Sequence, residues 1–214
     1  MFNLFNLSLS DLLYRFPAVI IALTIHEFSH GMCAYQLGDD TARAMGRLSL
    51  NPMRHLDPVG FLCLALFQFG WAKPVPVNPY RFRSVDSKTG MVLTALAGPG
   101  SNILVCFISV GVMVLIPARV FVSFSWLYWF LQYMIAINAS LAFFNLIPVP
   151  PLDGSRVLFW FLPSRLGYIS QYMDQYGFFL LILLIIARVP EMILGPLTRG
   201  LVTSFLRFYG LFIR

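Results

Sequence analysis

Charge is what this sequence most lacks. Fifteen Lys/Arg and nine Asp/Glu make up 11% of the 214 residues, against roughly 25% in soluble domains. Hydrophobic residues reach 58%, and the mean hydropathy is +0.76. A chain so short of charge cannot wet the surface of an ordinary soluble enzyme, and one so apolar does not stay disordered. Cysteine is scarce too. Cys33, Cys63 and Cys106 are odd in number, lie in apolar stretches and form no C-x-x-C pair, which argues against a disulfide framework and for buried free thiols. No basic n-region or small-residue cleavage site opens the chain, so a removable signal peptide is not expected. Internal repeats and low-complexity tracts are absent as well. The net charge of +6 sits mainly at the ends of apolar runs; nucleic acid, which needs one basic wet face, is not an expected partner.

Long apolar runs are what the sequence has. Phe16–Leu37 is close to the ~20 residues a helix needs to cross a bilayer, and Gly38-Asp39-Asp40 ends it. Met91–Ile116 and Trp126–Pro148 are the second and third spans, and Tyr176–Val189 is a shorter fourth. Between the first two, Val59–Trp71 is too short for a span and reads as a re-entrant or interfacial element. It leads into Lys73-Pro74-Val75-Pro76-Val77-Asn78-Pro79, whose alternating prolines suit only an extended edge segment. Residues 149–175 are mixed and proline-broken. From Pro196 the tail groups Arg199, Arg207 and Arg214 on one side of a helical wheel, as expected of an amphipathic helix in the interface (196–214) or of a tilted last span. The expected fold is an all-α polytopic membrane protein of four to five spanning helices, one membrane-embedded unit over 1–214. Seven Lys/Arg lie in residues 38–90, one in 117–125 and two in 149–175. The positive-inside rule then makes 38–90, with its re-entrant and extended parts, a cytoplasmic loop.

Inside the first span stands His26-Glu27-Phe28-Ser29-His30. Residues four apart share a helix face, so both imidazoles can reach one metal ion. Glu27 points about 100° away, near enough to take a proton from a water at that ion. This is the H-E-x-x-H arrangement of zinc hydrolases. Ionisable groups in hydrocarbon cost on the order of 3 kcal/mol each and are functional candidates by default. The plainer explanation, histidines merely bonded to neighbouring helices, accounts for neither spacing nor depth.

A catalytic zinc takes three protein ligands and keeps a fourth position open. No third ligand lies on this helix, Cys33 being a poor one beside a hydrolytic water. His55, Asp57 and Asp153 are the rivals. His55 and Asp57 sit in a polar, arginine-bearing loop where a loop cap or salt bridge is the plain explanation, and a loop cap is favoured for His55. Asp153 follows the proline-broken Asn145-Leu146-Ile147-Pro148-Val149-Pro150-Pro151-Leu152 and precedes Gly154. Broken helices at membrane depth line cavities, but a plain Asp-Gly turn fits as well. Asn138 and Asn145 are seven apart on one face. With Asn102 they are candidates for binding substrate backbone or an oxyanion, or for simply holding helices together.

H-E-x-x-H in a spanning helix together with a distant N-x-x-P-x-x-x-L-D-G resembles the site-2 protease family of intramembrane zinc metalloproteases. Ala97-Gly98-Pro99-Gly100-Ser101-Asn102, Gly70-Trp71-Ala72-Lys73-Pro74-Val75-Pro76-Val77-Asn78 and Asn51-Pro52-Met53-Arg54-His55-Leu56-Asp57-Pro58-Val59-Gly60 resemble further segments of it. The resemblance implies that His26, His30 and Asp153 bind one zinc ion and that Glu27 is the general base of peptide hydrolysis. It implies membrane-protein or transmembrane-peptide substrates, a lipid bilayer as surroundings and a bacterial or archaeal cytoplasmic membrane as location. The extended segment 71–79 is expected either to hold unwound substrate by strand addition or to be a simple connector. No residues are left for a PDZ or nucleotide-sensing domain, so a minimal catalytic core is expected. Two other classes compete. An inactive adaptor binding transmembrane helices would not need Glu27, and a small metal or proton transporter would show paired halves that this sequence lacks.

Overall fold

The computed structural model describes residues 9–60, 63 and 70–212. Four long apolar helices dominate it. The first, α1 (Leu9–Gln36), ends where Gly38 turns left-handed (φ 109°) and Asp39 N–H bonds back to Ala34 O at 2.9 Å, the glycine-terminated stop of a Schellman turn. A single helical turn, α2 (Thr41–Ala44), follows. Asn51 and Asn78 each open a 3-10 turn, Pro52–Arg54 and Pro79–Arg81. Each asparagine side chain accepts the N–H two residues on, at 3.1 Å, because the intervening proline has no N–H to compete.

The second long helix, α3 (Ser87–Leu115), is capped by Asp86, which accepts from Lys88 N and Thr89 N at 3.0 Å. Bonds from the Thr89 hydroxyl and backbone hold the Asp86 carboxyl below the usual carboxylate range. A short α4 (Ala118–Ser123) leads into α5 (Ser125–Asn145), and α6 (Gly154–Phe161) follows a proline-rich connection. The last two helices are α7 (Gly167–Ile186) and α8 (Val189–Gly210), separated by Arg188 in the left-handed region. Residues 13–36 of α1 and the helices α3, α5 and α7 are long and apolar enough to cross a bilayer. This is the all-α polytopic membrane protein expected.

Packing among α1, α3 and α5 forms the centre of the bundle. Cys106 and Val110 of α3 meet Ile135 and Ala139 of α5, and α8 closes over them with Leu201, Val202, Phe205 and Tyr209. The Tyr209 hydroxyl donates to Phe107 O at 3.2 Å. The final helix thus starts at Val189, before Pro196, and buries one face on the bundle while Arg199 and Arg207 stay exposed. Arg214 lies outside the described residues. A second difference concerns the fourth span, which starts at Gly167 rather than Tyr176. Its first turns hold Gln171, Asp174 and Gln175, polar enough to read as loop; here Asp174 pairs with Arg156 of α6 at 3.4 Å.

Between α2 and α3 the described residues are mostly irregular, apart from the two 3-10 turns and helical residues 58–60 and 63. Leu56 and Ala72 form an isolated antiparallel bridge, and residues 73–78 run extended without helix. Most of the re-entrant run expected at Val59–Trp71 (61, 62 and 64–69) lies outside the described residues.

Candidate metal centre

Helix periodicity stacks His26 and His30 one turn apart on α1, their ring centroids 4.6 Å apart and nearly perpendicular. Both are buried and both turn Nδ1 toward α3. The Nδ1 of His30 lies 2.7 Å from the Thr94 carbonyl. A carbonyl only accepts, so this nitrogen carries the hydrogen. His26 Nδ1 lies 2.6 Å from Asn102 Oδ1. That amide is oriented by its own bonds: Asn102 Nδ2 donates to Asn138 Oδ1 (2.8 Å) and Ala22 O (3.2 Å). Asn138 Nδ2 in turn donates to Met134 O at 2.8 Å. His26 therefore meets an acceptor and also keeps its hydrogen on Nδ1.

With the hydrogen on Nδ1, the neutral form of each ring presents its lone pair on Nε2. The two Nε2 atoms are 3.0 Å apart, and each is 3.2 Å from Asp153 Oδ2. In that tautomer three acceptor atoms converge, and Asp153 Oδ2 is buried without a hydrogen-bond donor. Such a cluster is repulsive unless a shared proton or a cation sits in it. Gly98 of α3 leaves the room for one. A Cβ there would stand 2.5 Å from His30 Cε1 and 2.7 Å from His26 Cε1, so any side chain would press into the imidazoles. Two imidazole nitrogens and one carboxylate oxygen are a donor set zinc takes, with a fourth position left open. His26, His30 and Asp153 could therefore hold the metal.

Asp153 reaches the histidines because the chain doubles back after α5. Leu146 to Leu152 form tight turns, the Pro150–Pro151 bond is cis, and a Cβ on Gly154 would overlap the Leu146 carbonyl. Only glycine fits directly after the aspartate. Glu27 is 9% exposed, and its Oε2 accepts the Val75 N–H at 2.8 Å. The base candidate is thus tied to the extended segment.

The remaining candidates lie elsewhere. His55 is fully buried and bonds Ser49 O through Nε2 at 2.6 Å, while Asp57 Oδ1 caps Gly60 N at 2.8 Å. Both hold the loop. Asn102 and Asn138 are fully buried in the chain that orients His26. Asn145 Nδ2 bonds back to Leu141 O of its own helix at 3.0 Å. Sequence reasoning did not single out Thr94, Asp39 or Arg47. Thr94 acts through its backbone carbonyl, which no residue type signals. Asp39 and Arg47 look like ordinary charges at the end of a span.

Because Asn102 fixes the tautomer and orientation of His26, Asn102→Ala is expected to weaken zinc binding about 10–100-fold. Competition with a chromogenic chelator measures this directly. Unchanged affinity would show that His26 needs no support from α3.

Residues 120–187 match the description "Peptidase family M50", a stretch that includes Asn138, Asn145 and Asp153. Across 206 residues the chain is 36% identical to "Putative zinc metalloprotease YwhC" of Bacillus subtilis (strain 168), covering 94% of this chain and 93% of the relative. It is 27% identical over 175 residues to "Putative zinc metalloprotease Rip2" of Mycolicibacterium smegmatis, 78% of this chain and 64% of that one. With "Putative zinc metalloprotease MJ0611" of Methanocaldococcus jannaschii it shares 33% identity over 102 residues, 48% of this chain and 50% of the relative. Of these last two proteins, then, the chain spans about two-thirds and half of the length. No solved structure matches it. With 36% identity along almost the whole of both chains and an H-E-x-x-H helix that meets a distant aspartate, the chain belongs to peptidase family M50, the site-2 protease family.

Proposed function

We propose that this protein is an intramembrane zinc metalloprotease, hydrolysing peptide bonds within or beside the membrane-spanning helices of other proteins. One observation carries the reading: His26 and His30 of the cluster, and Glu27, are built on α1, itself one of the four helices among the described residues long and apolar enough to span. A site at that depth meets substrates that are already in the bilayer.

When bound by His26, His30 and Asp153, zinc would supply a Lewis acid for the scissile carbonyl and for water. The protein's own groups do the rest. Glu27 Oε2 is engaged by Val75 N–H, which leaves Oε1 to take a proton from water as the water oxygen adds to the carbonyl carbon. As the C–N bond breaks, the same carboxyl returns that proton to the leaving nitrogen. Asn102 and Asn138 hold His26 in the tautomer that keeps Nε2 free; Asn145, less buried, is the asparagine proposed to contact substrate backbone. A helical substrate must unwind before attack, and segment 71–78, extended beside Glu27, supports its capture by main-chain pairing.

Orientation follows from charge. Lys88 Nζ bonds Leu162 O at 2.7 Å, and the Trp160 indole donates to Thr89 Oγ1 at 3.3 Å. These contacts bring the basic stretches 38–90 and 149–175 to one end of the bundle, the end proposed as cytoplasmic.

The full chain purified in detergent is expected to carry about one zinc ion. Reconstituted with a reporter protein bearing a single spanning helix, it should cut within or next to that helix and stop when a chelator strips the metal. A well-folded wild-type chain without bound metal, or cleavage that survives metal removal, would overturn the reading.

A further inference from the structure

Three backbone N–H groups hold the extended segment, one of them on the base. Pro74, Pro76 and Pro79 have no N–H, so its donors are few. Lys73 N–H goes to His55 O at 2.7 Å, Val75 N–H to Glu27 Oε2 at 2.8 Å and Asn78 N–H to Asp39 Oδ2 at 2.6 Å. In the opposite sense, Arg47 Nη2 donates to the carbonyls of Lys73 (2.6 Å) and Pro74 (3.2 Å).

Arg47 is an unexpected residue for that task. It is 8% exposed, its Nε has no hydrogen-bond partner, and no carboxylate pairs with it among the described residues. Burying a guanidinium without a counter-charge is costly, and a loop that only needed tethering would manage with a hydroxyl or an amide. Local structure directs it inward: Gly46 takes the left-handed conformation (φ 64°), and Arg47 N–H bonds back to Ala42 O at 2.8 Å.

The Pro74 carbonyl that Arg47 holds and the Val75 N–H that Glu27 accepts belong to a single peptide group. That group is planar, so fixing its oxygen fixes the direction of its N–H. A cation on the oxygen also polarises the amide and strengthens its donation to a carboxylate. We propose that Arg47 is a positioning residue for the proposed reaction, acting through the Pro74–Val75 peptide to hold the Glu27 carboxylate, so that Oε1 alone faces the reacting water. The proposal rests on Glu27 being the general base.

The test uses the zinc-loaded full chain in detergent, as wild type, Arg47→Ala, Arg47→Lys and Val75→Pro. Amide exchange needs no substrate: in Arg47→Ala the Val75 N–H should exchange at least about tenfold faster, with zinc content and protection of α1, α3 and α5 unchanged. On a membrane-spanning peptide reporter, kcat should fall about 10–100-fold, the scale of a small misplacement of a catalytic group, while KM moves little. Arg47→Lys, whose ammonium lacks the planar fork, should recover part of that loss. Val75→Pro removes the N–H with Arg47 intact and should match Arg47→Ala, and the double variant should lose no more than either single one.

Unchanged Val75 exchange in Arg47→Ala overturns the proposal. So does an unchanged kcat per bound zinc with only a lower melting temperature, which would mark Arg47 as structural. If Arg47→Ala fails to accumulate folded, Arg47→Lys decides, with wild-type kcat and exchange again the overturning result. Absence of any cleavage by zinc-loaded wild type would instead sink the protease reading, while the exchange arm would still decide whether Arg47 holds the Val75 peptide.

Discussion

Glu27→Gln should keep about one zinc ion per chain and lose cleavage of a membrane-spanning reporter by about 10²–10⁴-fold, the range a positioned general base supplies. The substitution preserves shape, and the glutamine carbonyl oxygen can still accept Val75 N–H as Oε2 does now. His26, His30 and Asp153 are untouched, so metal content should not change. What disappears is the ability to take a proton from water and return it to the leaving nitrogen. Zinc content by elemental analysis and turnover by gel assay, made on one preparation, separate the two effects. Full turnover in the zinc-loaded variant would remove Glu27 from the mechanism, and loss of the metal would mean that Glu27 belongs to the ligand set.

Asp153→Ala is the second large effect. Asp153 Oδ2 is the single carboxylate oxygen placed against both Nε2 atoms, at 3.2 Å from each, and two imidazoles alone do not make a tight zinc site. Removing a direct ligand should exceed the 10–100-fold cost of losing an outer partner, so zinc affinity should fall more than ~100-fold. Removing the carboxylate also relieves part of the crowding of acceptors, so the chain should stay folded. His55→Ala is the matched control. That ring is spent on Ser49 O, and zinc content should stay near wild type. If His55→Ala lost the metal and Asp153→Ala kept it, the third ligand would be misassigned.

Much of the site was legible because it is local. His26, Glu27 and His30 lie within five residues, and helix periodicity alone says which faces they share. The spans were legible for a similar reason, since a run of apolar residues long enough to cross a bilayer is a contiguous property. Polar residues inside a helix blur that signal, and so α7 begins before its hydrophobic run does. Asp153 was different. From spacing alone a ligand and a plain Asp-Gly turn fit it equally, and only the resemblance of its surrounding segment to a known family tips it toward the metal.

What the sequence determined by itself is therefore a polytopic helical membrane protein with a candidate metal-binding helix turn in its first span. Periodicity and hydropathy act over neighbouring residues, and these are written along the chain. Tertiary structure decided the rest. It brought Asp153 to both histidines, made Asn102 and Asn138 supports of His26, cleared the space at Gly98 and joined Arg47 to Glu27 through one peptide group. Those contacts link residues 76 positions apart for His26 and Asn102, and 48 for Glu27 and Val75. At such separations the partner is chosen by how helices pack and where backbone groups find hydrogen bonds, and no local pattern in the sequence encodes that choice.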